Sequence, residues 1–242
     1  MSTVVVVGEV DGNEIKNISQ QVAAVASGMG DVVGIVIGNN VSEAAMKLAT
    51  SKIIIADDER LEHYDPVKFT SVVSQVVEQV SASKVLIGAT TMGKDLGPRL
   101  AAELEWGYLG DCLEAGNDGF VRPNFAGKVL AKSSPNGPAV ASIRNNAYPA
   151  GESWSGSVEN FAGNIPESSL NTSAIENVSA GTVELTEANI VVSGGRGLES
   201  SENYDNHIRP LAEAMGAAAG ASRAIVDAGW VPHSHQVGQT GK

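Results

Sequence analysis

Seven short runs dominated by Val, Ile and Ala punctuate the chain, at residues 4–7, 32–37, 53–56, 85–87, 139–143, 190–192 and 224–226. Each stops at Gly or a polar residue within the length of one strand. The early runs are continuous rather than alternating. A strand with one wet face alternates apolar and polar side chains, whereas a strand covered on both faces need not. Continuous runs therefore predict a parallel sheet with helices packed on each side.

The stretches between the runs supply those helices. Ile18, Val22, Val25 and Met29 recur at helical spacing, with Gly28 and Gly30 near the stop. Ser42 is placed to cap a helix carrying Ala45, Met46 and Ala49. Asp65-Pro66 reads as a cap followed by a proline tolerated in the first turn. Beyond it, Phe69, Val72, Val73, Val76, Val77 and Val80 form one apolar stripe. Val is a poor helix former, yet burial of a whole stripe outweighs a few tenths of a kcal/mol per residue. Pro98 is expected to open a further helix through Leu104. Strands alternating with helices imply βαβ units.

The texture changes after Gly107. Residues 111–161 read as strands and turns, at Gly116-Asn117-Asp118-Gly119, Ser134-Pro135-Asn136-Gly137 and Tyr148-Pro149-Ala150-Gly151. They are expected to form an antiparallel extension of the first sheet. Residues 162–181 are small and polar and read as a linker. The βα pattern restarts at Ala188, with a strand at 189–193, a Gly-rich turn, a helix and a strand at 224–226. The expected fold class is α/β. Residues 1–184 form a nucleotide-binding-like domain with a mostly parallel sheet, and residues 185–242 form part of a second, doubly wound domain.

Composition removes several function classes. Of 242 residues, 43% are hydrophobic, too many for a disordered chain. Sixteen Lys and Arg against 28 Asp and Glu leave a net charge of −12. A nucleic-acid backbone needs a basic footprint, so that partner is excluded. One cysteine cannot form an intrachain disulfide. Met1-Ser2-Thr3 runs straight into Val4 without a basic leader, and no run reaches membrane-spanning length. The expectation is a cytoplasmic protein that does not insert into a membrane.

Three segments could carry chemistry. The stretch Gly88-Ala89-Thr90-Thr91-Met92-Gly93-Lys94-Asp95 follows a strand and has phosphate-loop spacing. The position after Lys94 should hold a Mg²⁺-binding hydroxyl but holds Asp95, which would repel phosphates. A close strand-to-helix packing is the preferred reading. Ser193-Gly194-Gly195-Arg196-Gly197 also links a strand to a helix. It reads either as an anion site, with Arg196 adding a planar cation, or as a tight turn. Ser222-Arg223 and the Gly-punctuated end Gln236-Val237-Gly238-Gln239-Thr240-Gly241-Lys242 favour a loop wrapped around a cofactor. His233 and His235 lack the carboxylate or thiol support of a metal site. Cys112 has no basic neighbour and reads as structural. There is no G-x-S-x-G elbow. Pro210 interrupts the stripe Tyr204, Ile208, Leu211, Met215, so a helix there must kink or begin afresh near Arg209.

Taken in order, Ser193-Gly194-Gly195-Arg196-Gly197-Leu198, Gly220-Ala221-Ser222-Arg223, Asp227-Ala228-Gly229-Trp230-Val231-Pro232 and the run from Gln236 to Lys242 resemble the electron-transfer flavoprotein alpha subunit. So do Ala89-Thr90-Thr91-Met92-Gly93-Lys94-Asp95 and Arg122-Pro123-Asn124-Phe125-Ala126-Gly127. The resemblance covers essentially the whole chain. It implies a heterodimer with a beta subunit, FAD held in the second domain, and AMP in the partner rather than here. It implies an electron carrier rather than an enzyme with its own substrate. Such a carrier takes electrons from dehydrogenases, acyl-CoA dehydrogenases of fatty acid β-oxidation among them, and passes them to a membrane quinone oxidoreductase. By the same resemblance Arg196 lies against the flavin ring and raises its potential, and Thr240 hydrogen-bonds the ring near N5. Gln236, Val237, Gly238 and Gln239 form the rest of that loop, and Ser222 and Arg223 touch the cofactor nearby. Family members continue with a second segment of the form G-I-S-G-A-x-Q-H, whereas this sequence stops at Lys242. The second domain is therefore expected to be truncated. The alternative is a non-redox nucleotide- or partner-binding module, with FAD binding lost through the missing segment.

Overall fold

A computed structural model describes residues 2–125, 127–151, 156–172, 185 and 188–238. It divides into two compact units, Met1–Ser173 and Ala174–Lys242.

In the first unit, strand β1 (Thr3–Gly8) is followed by a small hairpin, β2 (Val10–Asp11) and β3 (Glu14–Ile15). Helix α1 (Asn17–Ser27), β4 (Asp31–Gly38), the short α2 (Ser42–Ala45), β5 (Lys52–Asp57), α3 (Pro66–Gln79), β6 (Lys84–Gly88) and α4 (Thr91–Glu103) come next. Then follow β7 (Gly107–Cys112), β8 (Glu114–Gly116), β9 (Gly119–Asn124), β10 (Val129–Ser133), β11 (Ala139–Ile143) and β12 (Ser157–Asn160). Seven of these strands form one sheet in the order β12-β5-β4-β1-β6-β11-β7. Every pairing in it is parallel.

The two-sided burial inferred from the continuous runs is explicit in β1. Val4 and Val6 pack with Ile18, Val22 and Val25 of α1. Val5 and Val7 pack with Val72, Val76, Leu96 and Leu100 of α3 and α4 on the opposite face. Successive strand side chains point to opposite faces, so both sets must be apolar. Helix α3 starts where Asp65 accepts hydrogen bonds from the amides of Val67 (2.8 Å) and Lys68 (3.2 Å). Its Phe69, Val72, Val73, Val76 and Val77 are buried.

Several local expectations are corrected. Helix α4 does not begin at Pro98 but at Thr91, capped by the Thr90 hydroxyl, which accepts from Gly93 N at 3.0 Å; Pro98 sits inside it. The cap at the front governs, and the interior proline forfeits one donor. Ser42 caps nothing: its hydroxyl donates to Asp57 Oδ2 at 2.6 Å, and α2 ends at Ala45. The antiparallel part is a separate three-stranded sheet, β10-β9-β8, while β11 and β12 join the main sheet in parallel. The start of the expected linker is docked: the Gln75 amide brackets the backbone of Asn164 (2.7 and 2.8 Å), and Ile165 is buried. Residues 173–184 lie outside the described residues.

The second unit holds β13 (Val191–Gly194), α5 (Ser201–Asn203), α6 (Arg209–Ala214), β14 (Ala218–Ala221) and α7 (Arg223–Asp227). Strands β13 and β14 pair in parallel. Between α5 and α6 one wide turn spans Tyr204–Ile208, closed by Arg209 N to Tyr204 O. Pro210 then falls in the first turn of α6, where its missing N–H costs nothing. Of the expected stripe, Tyr204 is fully buried, whereas Leu211 and Met215 are about half exposed.

The strand expected at 224–226 is instead helix α7, and the strand is the small-residue run before it. Close packing is the reason. A Cβ on Gly220 would lie 2.4 Å from Ser193 Oγ and 2.6 Å from Val237 Cγ2. Strand β14 is made of residues small enough to sit there, and Ile225 fills the core from the helix instead.

Candidate cofactor-binding site

The carboxyl ends of β13 and β14 lie side by side, Gly194 opposite Ala221. Ligands of open parallel α/β sheets bind at that end. The residues that leave the two strands there are Gly195-Arg196 and Ser222-Arg223.

Both exits are tightly shaped. A Cβ on Gly194 would meet Leu198 Cδ1 at 2.5 Å and Ile208 Cγ1 at 2.9 Å, so a larger residue would have to push those side chains aside. Gly195 is extended, and Arg196–Leu198 forms one 3₁₀ turn. The turn is fastened by Leu198 N to Gly195 O (3.0 Å) and by Asn203 Nδ2 to Leu198 O (2.7 Å). Glu199 follows in the left-handed region at φ 68°, and Ser200 caps α5 through Asn203 N (3.1 Å). Arg196 is exposed and has no carboxylate partner among the described residues.

Ser222 N donates to Gly194 O at 2.9 Å, which locks the second exit to the first. A Cβ on Gly195 would be 3.4 Å from Ser222 Oγ. Ser222 heads α7, but its hydroxyl makes no capping bond. Arg223 points along its own helix, with Nε 3.1 Å from Asp227 Oδ2. Val237 N donates to Ala221 O at 2.9 Å, which brings residues 236–238 to the same end. Gln236 is buried and Nε2 donates to Gly238 O (3.3 Å), Val237 is 41% exposed, and Gly238 is left-handed at φ 78°. The structure therefore brings Arg196, Ser222, Arg223, Gln236, Val237 and Gly238 to one strand end. Gln239 and Thr240 lie outside the described residues.

Two supports of the site escaped the reading of the sequence. Tyr204 is fully buried and donates its hydroxyl to Gly220 O at 3.2 Å. His235 holds Nδ1 2.8 Å from Ala219 O, with its ring edge-on to Tyr204 at 6.5 Å. Among the described residues no group of three or more His, Cys, Asp or Glu converges on a metal position.

Comparison with known proteins decides the family. Residues 4–188 match the model of the electron transfer flavoprotein domain, and residues 184–242 match that of the electron transfer flavoprotein FAD-binding domain. The chain belongs to the electron transfer flavoprotein family, as an alpha subunit. It is 36% identical to the electron transfer flavoprotein subunit alpha of Bacillus subtilis, over 99% of this chain and 78% of that protein. It is 35% identical to the alpha subunit of Megasphaera elsdenii, over 92% of this chain and 71% of the relative. Identity to the alpha subunit of Pseudomonas aeruginosa is 38%, over 91% and 73%.

The strand-end geometry fits the flavin of this family. A cation without a carboxylate partner among the described residues, a serine hydroxyl not used as a cap, and glycines whose Cβ positions open to space (Gly197 and Gly238) leave room and donors for an anionic, planar group. Among the described residues no helix is long and apolar enough to cross a membrane.

Proposed function

We propose that this chain is the FAD-carrying half of a heterodimeric electron carrier, with an electron transfer flavoprotein beta subunit as its partner. It collects electrons from dehydrogenases in the cytoplasm, acyl-CoA dehydrogenases among them, and delivers them to a membrane quinone oxidoreductase. The beta subunit, not this chain, holds AMP. The flavin domain begins near residue 184.

The observation that supports this reading is the convergence of Arg196, Ser222 and residues 236–238 on the carboxyl ends of two parallel strands. When bound, FAD supplies the electron-transfer chemistry; the chain supplies placement and charge. Arg196 is the residue that biases the cofactor toward its reduced, more negative form. Its guanidinium stays charged at any working pH. Ser222 and Arg223 contact the cofactor beside it. Gln236, Val237, Gly238 and Gln239 would form a loop against the ring, and Thr240 would hydrogen-bond it near N5.

The test is co-expression of the full-length gene with its beta partner. The purified complex should carry the visible spectrum of a flavoprotein. Arg196→Ala should lower the flavin midpoint potential by about 60 mV, the size of a tenfold change in a one-electron equilibrium. A colourless complex that binds ATP tightly would favour the non-redox module instead. An unchanged potential would remove Arg196 from its role.

A further inference from the structure

Strand β14 has two edges, and only one is covered by β13. The amides of Ala218 and Ser222 face that side, donating to Ile190 O and Gly194 O at 2.9 Å each. Backbone groups alternate from edge to edge along a strand. Ala219 O and Ala221 O therefore point to the other edge. Both are taken by one short segment. Val237 N donates to Ala221 O at 2.9 Å, an ordinary strand rung, and Gln236 forms a parallel bridge with Ala221. The other carbonyl, Ala219 O, is met by a side chain rather than a backbone amide: His235 Nδ1, at 2.8 Å.

A carbonyl oxygen can only accept, so Nδ1 carries the proton in this bond. The His235 ring is held in the orientation that permits it by Tyr204, edge-on at 80°. Tyr204 is itself pinned to the neighbouring carbonyl, Gly220 O. Two side chains thus grip consecutive carbonyls of one strand, and the segment that follows is placed by one of them.

We infer that His235 is a positioning residue: its Nδ1–Ala219 bond sets the register of residues 236–238 on the open edge of β14 and so places the loop assigned to the flavin. A slip of one residue along a strand edge reverses which side chains face in and out. Here it would exchange the buried Gln236 with the exposed Val237. The inference rests on the flavin reading for its consequence but not for its geometry.

The experiment uses the full-length heterodimer and three variants. His235→Leu removes the donor. His235→Asn keeps an N–H near the position of Nδ1, and His235→Gln moves it to the far end of the ring. The first measurement is amide hydrogen exchange at residues 236–238 after FAD has been stripped. The second is the dissociation constant of FAD. His235→Leu and His235→Gln should each speed exchange at Val237 about tenfold and weaken FAD about tenfold. His235→Asn should stay within threefold of the wild type in both. Should the Leu variant fail to fold, the Asn and Gln pair carries the comparison. Equal exchange in Asn and Gln variants would overturn the inference. A wild-type complex that binds no FAD would sink the flavin reading, while the exchange measurement would still decide the register.

Discussion

The hydroxyl of Thr90 donates to the buried carboxyl of Glu9 at 2.7 Å and accepts from Gly93 N at 3.0 Å. One side chain therefore joins the end of β1 to the first turn of α4. In a phosphate loop this turn would present its amides to an anion. Here the Gly93 amide is taken by the Thr90 hydroxyl, which in turn donates to a carboxyl group of the protein itself. Glu9 also lines a cleft of about 390 Å³ at the carboxyl ends of β1 and β4, together with Asp11, Glu62 and, among the described residues, a single cation, Lys16. Phosphate spacing in the sequence thus coincides with an acidic site in space.

Nucleotide binding by the first unit should accordingly be weak. Titration calorimetry with ATP should find no Kd below about 1 mM, equivalent to roughly 4 kcal/mol. Thr90→Ser should be nearly silent in urea unfolding. Thr90→Ala loses the cap and strips a donor from a buried carboxyl, and should cost about 2 kcal/mol.

The two glycines of the same motif have a packing role that mutation can isolate. A Cβ on Gly93 would lie 1.9 Å from Gly88 O, a backbone atom that cannot rotate away. Helix α4 would have to lift off the sheet. Gly93→Ala should cost about 3 kcal/mol, the upper range for overpacking. Gly116→Ala is the control: no atom lies within 4 Å of its Cβ position, and the change should be within about 0.5 kcal/mol of neutral. Urea midpoints of both variants measure the contrast.

How much could be read in advance depended on bulk. Strands β1, β4, β5 and β6 were legible because burial on both faces demands continuous Val and Ile. Strand β14 was not, because close approach to Ser193 and Val237 demands the opposite, and Ala and Gly carry no strand signal. The Ile-Val pair at 225–226 attracted the strand assignment, yet Ile225 reaches the core from a helix. Pro98 hid the start of α4 because a proline inside a helix is ordinarily a boundary, and the segment around Thr90, although read as a strand-to-helix connection, was not recognised as the helix cap. The residues that meet at the strand end were legible as local words around Arg196, Ser222 and Gln236. Tyr204 and His235 were not, because their partners are carbonyls of a strand that the sequence does not announce.

Burial pushes the Cys112 thiol up to about 11. The folded thiol stays neutral where an unfolded one, near 8.5, begins to ionise. A raised value stabilises the fold below the unfolded pKa, and that contribution is lost as pH rises toward the folded one. Between pH 8 and 9.5, below the tyrosine range, the protein should lose about 1 kcal/mol, and Cys112→Ala should flatten the slope. The same burial predicts no reaction with a thiol reagent at pH 8 until urea is added.

Asp111 sits at φ 59°, a conformation that Asp tolerates better than most residues. Arg144 holds it with a bidentate grip: Nε lies 3.0 Å from Oδ1, and Nη2 pairs with Oδ2. The guanidinium keeps the Asp111 carboxyl below its usual range, against an opposing effect of partial burial. A lowered carboxylate pKa stabilises the fold above the unfolded value, near 3.9, and that contribution is lost as pH falls through the folded value. Wild type should therefore lose more stability than Asp111→Asn between pH 5 and pH 2.5. The side chains are about 40% exposed, so water screens the pair and the difference should be about 1 kcal/mol or less. Asn also tolerates the left-handed backbone, so the substitution removes charge without adding strain. Arg144→Gln should raise the Asp111 titration midpoint, read directly by carboxyl-carbon NMR. An Asp111 midpoint unmoved by that change would mean that the backbone, not the guanidinium, sets its acidity.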